Sequence, residues 1–169
     1  MRDPSIFESM ATAPDVVAVR LLAALVAGAC IGLDREWRRK PAGLRTHMLI
    51  ALAAAVFTII ASELHLDAAR ADPSGSADPV RIIEAVTAGV AFLGAGAIFR
   101  GGGTVQGMTT GAGIWLAGAL GLACGAGYGA LALIAGLFTI GVLTVLGRIE
   151  HAALKAGKGA GGALDAPAP

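Results

Sequence analysis

The chain has 169 residues and a mass of 16.8 kDa; 56% of its residues are apolar, 15% are charged and 25 are glycines. Soluble domains average about 25% charged residues, so this composition excludes a water-exposed globule, and the apolar content excludes a disordered chain. The 13 basic and 12 acidic residues leave a net charge of +1, too small for the basic surface of a nucleic-acid-binding protein. The sequence therefore predicts an all-α membrane protein that contacts the lipid bilayer.

Five apolar segments bounded by charged residues follow one another along the chain. A helix needs about 17 to 20 residues to cross ~30 Å of hydrocarbon. The predicted transmembrane helices cover residues 16–33, 48–62, 80–99, 109–125 and 128–147. The second is short, residues 63–79 form a solvated connector, and the few residues between the fourth and fifth predict an antiparallel hairpin.

The lysine and arginine residues outside the spans concentrate on one side of a five-span chain. The nine on that side are Arg35, Arg38, Arg39, Lys40, Arg45, Arg100, Arg148, Lys155 and Lys158. The opposite side holds only Arg2 and Arg70. The positive-inside rule then predicts an external amino terminus and a cytoplasmic carboxyl terminus. The expected organisation is a periplasmic segment (1–15), a five-helix membrane domain (16–147) and a mobile cytoplasmic tail (148–169).

Small residues recur at helical spacing in the first, third and fourth spans. Helices in lipid approach closely where such residues meet, so these faces predict a tight bundle, with a glycine-lined ion path as the alternative. The predicted packing positions are Gly28, Gly32, Gly94, Gly96, Gly113, Ala117 and Gly121. Cys30 and Cys124 lie inside apolar runs and are interpreted as small buried side chains.

Three charged residues fall inside the predicted spans: Arg20, Arg81 and Glu84. Intramembrane charges are usually paired or functional. One hypothesis pairs Arg20 with Glu84 across two helices at similar depth. The other extends Arg20 to the lipid headgroups and pairs Arg81 with Glu84 one helical turn apart.

A second set of polar residues gathers at the predicted cytoplasmic ends of the helices. Its members are Asp34, Arg35, Glu36, Gly43, Leu44, Arg45, Thr46, Arg100, Thr109 and Thr110. We expect the two threonines to cap the fourth helix, Arg100 to complement the negative end of the third helix, and residues 101–103 to form a flexible turn. The set is interpreted either as interfacial anchoring around Trp37 or as a docking or sensing surface.

The sequence contains no recognisable set of catalytic residues. His47, His65 and His151 are scattered, without the spacing of a metal-ligating helix motif and without a paired nucleophile and base. We therefore expect no enzymatic activity, no metal site and no cofactor.

The motifs GLDREW (32–37), AGLRT (42–46), FLGAG (92–96), GMTT (107–110) and IW (114–115) together resemble the MgtC/SapB family of bacterial inner-membrane proteins. The resemblance covers residues 16–147 and implies a five-span domain linked to growth under magnesium limitation and, in some pathogens, to virulence inside macrophages. It also implies a regulator that contacts membrane proteins such as ATP synthase. Longer members add a soluble cytoplasmic domain, so functions lodged there are not carried over. Ala91 stands where glycine is usual in the family.

Two functions follow as expectations. The first is a non-enzymatic inner-membrane regulator that binds partner membrane proteins, or a second copy of itself, through its glycine faces and basic inner loop. The alternative is a small channel or transporter for an ion or solute, with Arg20, Arg81 and Glu84 as its polar lining.

Overall fold

The computed structural model describes residues 10–72, 78, 80–101 and 103–161. The elements, in chain order, are α1 (Pro14–Trp37), α2 (Leu44–Ala71), α3 (Val80–Gly96), β1 (Phe99–Gly101), β2 (Thr104–Gln106), α4 (Met108–Gly125) and α5 (Gly129–Gly161). α1, α2, α4 and the Gly129–Gly147 part of α5 are long and apolar enough to cross a membrane. The 17 residues of α3 extend about 25 Å. The predicted all-α polytopic fold is confirmed, whereas its orientation stays a prediction.

The helices extend past the charges that bound the predicted spans. α2 begins at Leu44 and ends at Ala71, so the second span is not short and the first half of the predicted 63–79 connector is helical. Asp67 and Arg70 form an ion pair on this extension. α5 likewise extends to Gly161, and residues 162–169 of the predicted tail lie outside the described part. Charges mark the edge of the membrane, but a helix satisfies its own backbone and need not end there.

A short β-hairpin joins α3 to α4, where the sequence predicted only a flexible turn. β1 and β2 pair antiparallel, with Phe99 opposite Gln106 and Arg100 opposite Val105. Gly103 in the turn has φ +82°, a left-handed conformation that glycine adopts without a steric cost. The hairpin ends α3 at Gly96, three residues before the predicted end of that span.

α4 is the central helix of the bundle, and it packs against α1, α2, α3 and α5. Small residues permit this. A Cβ atom built on Gly121 would lie 2.7 Å from Cα of Ala51, so the backbones of α4 and α2 are in contact. Ala117, on the same face of α4, is completely buried. A Cβ atom on Gly94 would lie 3.1 Å from the carbonyl oxygen of Gly111, which places α3 against α4 in the same way.

Three more of the predicted packing glycines divide into two groups. Cβ atoms on Gly28 and Gly32 would lie 2.6 Å from the carbonyl oxygen of His47 and 2.6 Å from Cα of Leu44, respectively, so both glycines seat α1 on α2. Gly96 differs from the expectation, because no atom among the described residues lies within 4 Å of such a Cβ. It is the last residue of α3, where the chain turns away into the hairpin.

Candidate functional site

Three buried polar side chains meet where α1 ends and where α2 and α4 begin. Arg35 is 2% exposed, Thr110 is 2% exposed and His47 is completely buried. We call these three residues the basic cluster. Nη2 of Arg35 donates a hydrogen bond to Oγ1 of Thr110, which ties α1 to α4.

The position of Arg35 follows from the helical period of α1. Ala24, Gly28, Ile31 and Arg35 are the buried residues at intervals of three and four along this helix, so they form one inward stripe. The stripe continues to the last turn, where an inward side chain meets the first turn of α4. The sequence places an arginine there, and its buried guanidinium lies beside the hydroxyl of Thr110.

His47 occupies a space that glycine leaves open. Its Nδ1 lies 2.9 Å from the carbonyl oxygen of Gly43, and since a carbonyl only accepts, Nδ1 carries the hydrogen and donates it. Nε2 points at α4, where a Cβ atom on Gly113 would lie 3.1 Å from it. Gly113 therefore leaves room for the side chains of His47 and Ile31, and among the described residues no backbone atom of another helix lies within 4 Å of that Cβ.

The basic cluster retains unused hydrogen-bonding capacity. Nε of Arg35 and Nε2 of His47 are buried and have no hydrogen-bond partner within the part of the chain that the structure describes. Buried polar atoms are nearly always satisfied in folded proteins, so each such exception calls for a physical role. A buried guanidinium that donates to one neutral partner can hold two helices together, or it can donate further hydrogen bonds to an anion.

The acidic residues beside the cluster hold the α1–α2 turn. Oδ1 of Asp34 lies 2.9 Å from Nε of Arg38, and Nη2 of Arg38 donates to the carbonyl oxygen of Leu143 in α5 at 3.3 Å. The carboxylate of Glu36 accepts the backbone N–H of Leu44 at 3.0 Å, which satisfies one of the free N–H groups at the start of α2. A side chain at Gly43 would overlap the Glu36 carboxylate. The two sequence motifs 32–37 and 42–46 thus form one interlocked turn.

Four of the predicted site residues have exposed side chains and do not share the burial of the basic cluster: Arg45, Thr46, Arg100 and Thr109. The expected threonine caps are wrong: Gly107 is the N-cap of α4, no side chain caps that helix, and the Thr110 hydroxyl instead accepts from Arg35. The placement expected for Arg100 is also wrong. It lies in β1, beyond the end of α3, because the hairpin carries it away from that helix.

The charges inside the spans are not paired with one another. The ion pairs found among the described residues are on other side chains, so neither the Arg20–Glu84 pair nor the Arg81–Glu84 pair forms, and Glu84 is exposed. Nη1 of Arg20 instead donates to the carbonyl oxygen of Gly125 at 3.0 Å. The carbonyl end of a helix carries partial negative charge and free acceptors, so α4 supplies the partner expected from Glu84.

Two features of the structure were not predicted from the sequence. His47 lies on the stripe His47, Ile50, Ala51, Ala54 and Thr58, whose spacing is visible in the sequence and marks the buried face of α2. A second interaction joins α2 to the start of α1: the Glu63 carboxylate accepts the backbone N–H of Thr12 at 3.0 Å and also binds its hydroxyl. No periodic pattern could have revealed it, because Thr12 precedes α1 while Glu63 lies in α2.

The comparisons with known proteins agree on one protein family. The model of the MgtC family matches residues 21–152. Protein MgtC of Brucella abortus is 38% identical over 129 residues, which cover 76% of this chain and 50% of that protein. The putative magnesium transporter YhiD of Escherichia coli K12 is 39% identical over 127 residues, 75% of this chain and 59% of that protein.

Protein MgtC of Salmonella typhimurium is 40% identical over 109 residues, 64% of this chain and 43% of that protein. The chain thus spans about half the length of the curated relatives it matches. No solved structure matches the chain significantly. The matched region contains the basic cluster, the interlocked α1–α2 turn and the glycine contacts of α4.

Proposed function

This chain belongs to the MgtC family, and on that basis we propose that it is a non-enzymatic regulator in the bacterial inner membrane. It works in adaptation to low magnesium or to intracellular stress, and it acts by contacting other membrane proteins such as ATP synthase. Relatives named MgtC, and one named a putative magnesium transporter, support the connection with magnesium. Because the chain spans about half of those relatives, the proposal concerns the membrane domain alone.

One observation favours a regulator over a conduit. A conduit lined by Arg20, Arg81 and Glu84 needs these side chains to share one passage. Arg20 is engaged by the end of α4, Arg81 lines an apolar groove between α2 and α3, and Glu84 faces outward from α3 without lining that groove. The three charges thus lie in three separate environments, and the polar lining that the alternative requires is not assembled.

The surface of the bundle carries exposed aromatic side chains that could contact a partner protein. Trp37, at the end of α1 beside the interlocked turn, is 92% exposed, and Phe138 on α5 is 74% exposed. Exposed aromatic side chains near basic residues are typical anchors of protein interfaces. In this proposal Trp37 and the neighbouring exposed Arg39 and Lys40 form the partner surface. A second copy of the chain is the other candidate for the same surface.

The competing function is magnesium transport, and the name of the Escherichia coli relative is what favours it. Transport and regulation are separated by reconstitution. Liposomes that hold the purified chain and a magnesium-sensitive dye are diluted into MgCl2, beside protein-free liposomes. A regulator gives the protein-free rate. Uptake that the Glu84→Gln substitution abolishes, and that the matched Asp67→Asn substitution leaves intact, refutes the regulator.

The proposed contact with ATP synthase is tested in inverted membrane vesicles, in which ATP-driven proton pumping by that enzyme is followed with a pH-sensitive dye. We expect the chain to lower the rate of acidification. The Trp37→Ala substitution restores the rate, while Trp115→Ala, which removes the chain's other tryptophan on α4, does not. An acidification rate that does not change when the chain is added contradicts the proposed contact with ATP synthase.

A further inference from the structure

α2 and α3 diverge along one side of the bundle and leave an apolar groove of about 940 Å³ between them. We call it the α2–α3 groove. Buried residues such as Ala54, Val86 and Val90 form its floor. Its rims carry Phe57, which is 61% exposed, and Phe92, which is 79% exposed. In a membrane this groove is filled, because its walls are apolar and lipid surrounds them.

Arg81 gives the groove a polar end. It is the one charged residue in the described lining, and it lies in the first turn of α3, whereas Phe92 and Leu93 line the other end. Within the described part of the chain its guanidinium has no ion pair. The partly buried Glu63 follows directly on the apolar stretch of α2 whose Ala61 lines the same groove, so this end lies at the level of the lipid headgroups.

The length of the groove matches one leaflet of a bilayer. The lining of α3 runs from Arg81 to Leu93, and the twelve helical rises between these two residues amount to about 18 Å. The hydrocarbon of one leaflet is about 15 Å thick, half of the bilayer core. A lipid whose phosphate lies at Arg81 would therefore place its acyl chains along the whole groove.

A transmembrane helix fits the groove less well. A helix about 10 Å in diameter would have to enter between the rims of this groove. Helices in lipid also associate through small residues at the point of contact. Here Phe57 and Phe92 stand on the rims, and a partner backbone would have to pass between them. Flexible acyl chains meet neither restriction.

We propose that the α2–α3 groove binds one anionic phospholipid, with its phosphate at the Arg81 guanidinium and its acyl chains along the apolar floor. The contact joins a phosphate to an arginine that makes no ion pair among the described residues. This inference does not depend on the proposed regulatory function, because it rests on the groove and its charge alone.

The test measures lipid retention by the full chain in nanodiscs of phosphatidylcholine with a minor fraction of phosphatidylglycerol. After transfer to detergent, native mass spectrometry counts the bound lipids and the protein copies. The first variant, Arg81→Gln, removes the charge. The second, Gly89→Phe, fills the groove, and it should fold because no atom of the described residues lies within 4 Å of a Cβ at Gly89. Gly141→Phe on α5 is the matched control, since it is equally open and lies outside the groove.

We expect the unmodified chain and Gly141→Phe to retain one phosphatidylglycerol in preference to phosphatidylcholine. Arg81→Gln should lower that preference about 5-fold, the factor for a single basic residue near an anionic lipid surface. Gly89→Phe should abolish retention of either lipid. Equal retention of the two lipids by the unmodified chain, retention unchanged by both groove variants, or a lipid-free dimer each overturns the proposal.

Discussion

Gly121→Ala tests the backbone-to-backbone contact between α4 and α2. A Cβ atom at this position would lie 2.7 Å from Cα and 2.8 Å from the carbonyl carbon of Ala51, whereas carbon atoms in contact need about 3.5 to 4.0 Å. The helices must therefore separate by about 1 Å, because no side-chain rotation relieves an overlap with backbone. Overpacking of this kind costs about 1–3 kcal/mol. Since alanine also favours the helix by up to about 1 kcal/mol, we expect a net loss of up to about 2 kcal/mol against the unmodified chain, and of about 1–3 kcal/mol against a glycine-to-alanine control that has the same gain in propensity.

The matched control is Gly141→Ala in α5, where the part of the chain that the structure describes leaves the space within 4 Å of the added methyl group open. Its only expected effect is a gain in helix propensity of up to about 1 kcal/mol. Unfolding in mixed micelles of mild detergent and increasing dodecyl sulfate, followed by circular dichroism, gives the free energy of unfolding of both variants. If Gly121→Ala proves as stable as Gly141→Ala, α4 does not rest on the backbone of α2 and the packing described above is incorrect.

Three further substitutions test the polar contacts and the hairpin. Thr110→Val should destabilise the bundle by about 1–3 kcal/mol because it leaves the buried Arg35 without its partner; in an Arg35→Met background the same change should cost far less, and equal costs in a double-mutant cycle would exclude the coupling. Arg20→Gln should lower the melting temperature in detergent, whereas Glu84→Gln should leave it unchanged. Equal losses in the two variants would support the hypothesis of an Arg20–Glu84 ion pair. Gly107→Ala should destabilise the chain by about 1–3 kcal/mol because residue 107, the N-cap of α4, has φ +84°. An unaltered melting temperature would show that the backbone before α4 accepts a side chain at this position.

The class of the protein and the order of its helices can be predicted from the amino-acid sequence. Apolar runs of membrane-spanning length between charges are a local property, so all five helices could be predicted, with errors confined to their ends. Small residues four apart, such as Gly28 and Gly32, also identify a helix face without reference to any other element. The family motifs belong to the same level, because they are contiguous runs of residues.

Only the tertiary structure decided which partner each polar group meets. Arg20 and Glu84 lie at similar predicted depths, but depth does not fix rotation about the helix axis or which helix is adjacent, and the neighbour of Arg20 is the end of α4. Thr110 similarly binds Arg35, 75 residues away, in place of its own helix end. Such contacts depend on how five helices rotate and cross, which is set by packing over the whole bundle and not by any single stretch of sequence.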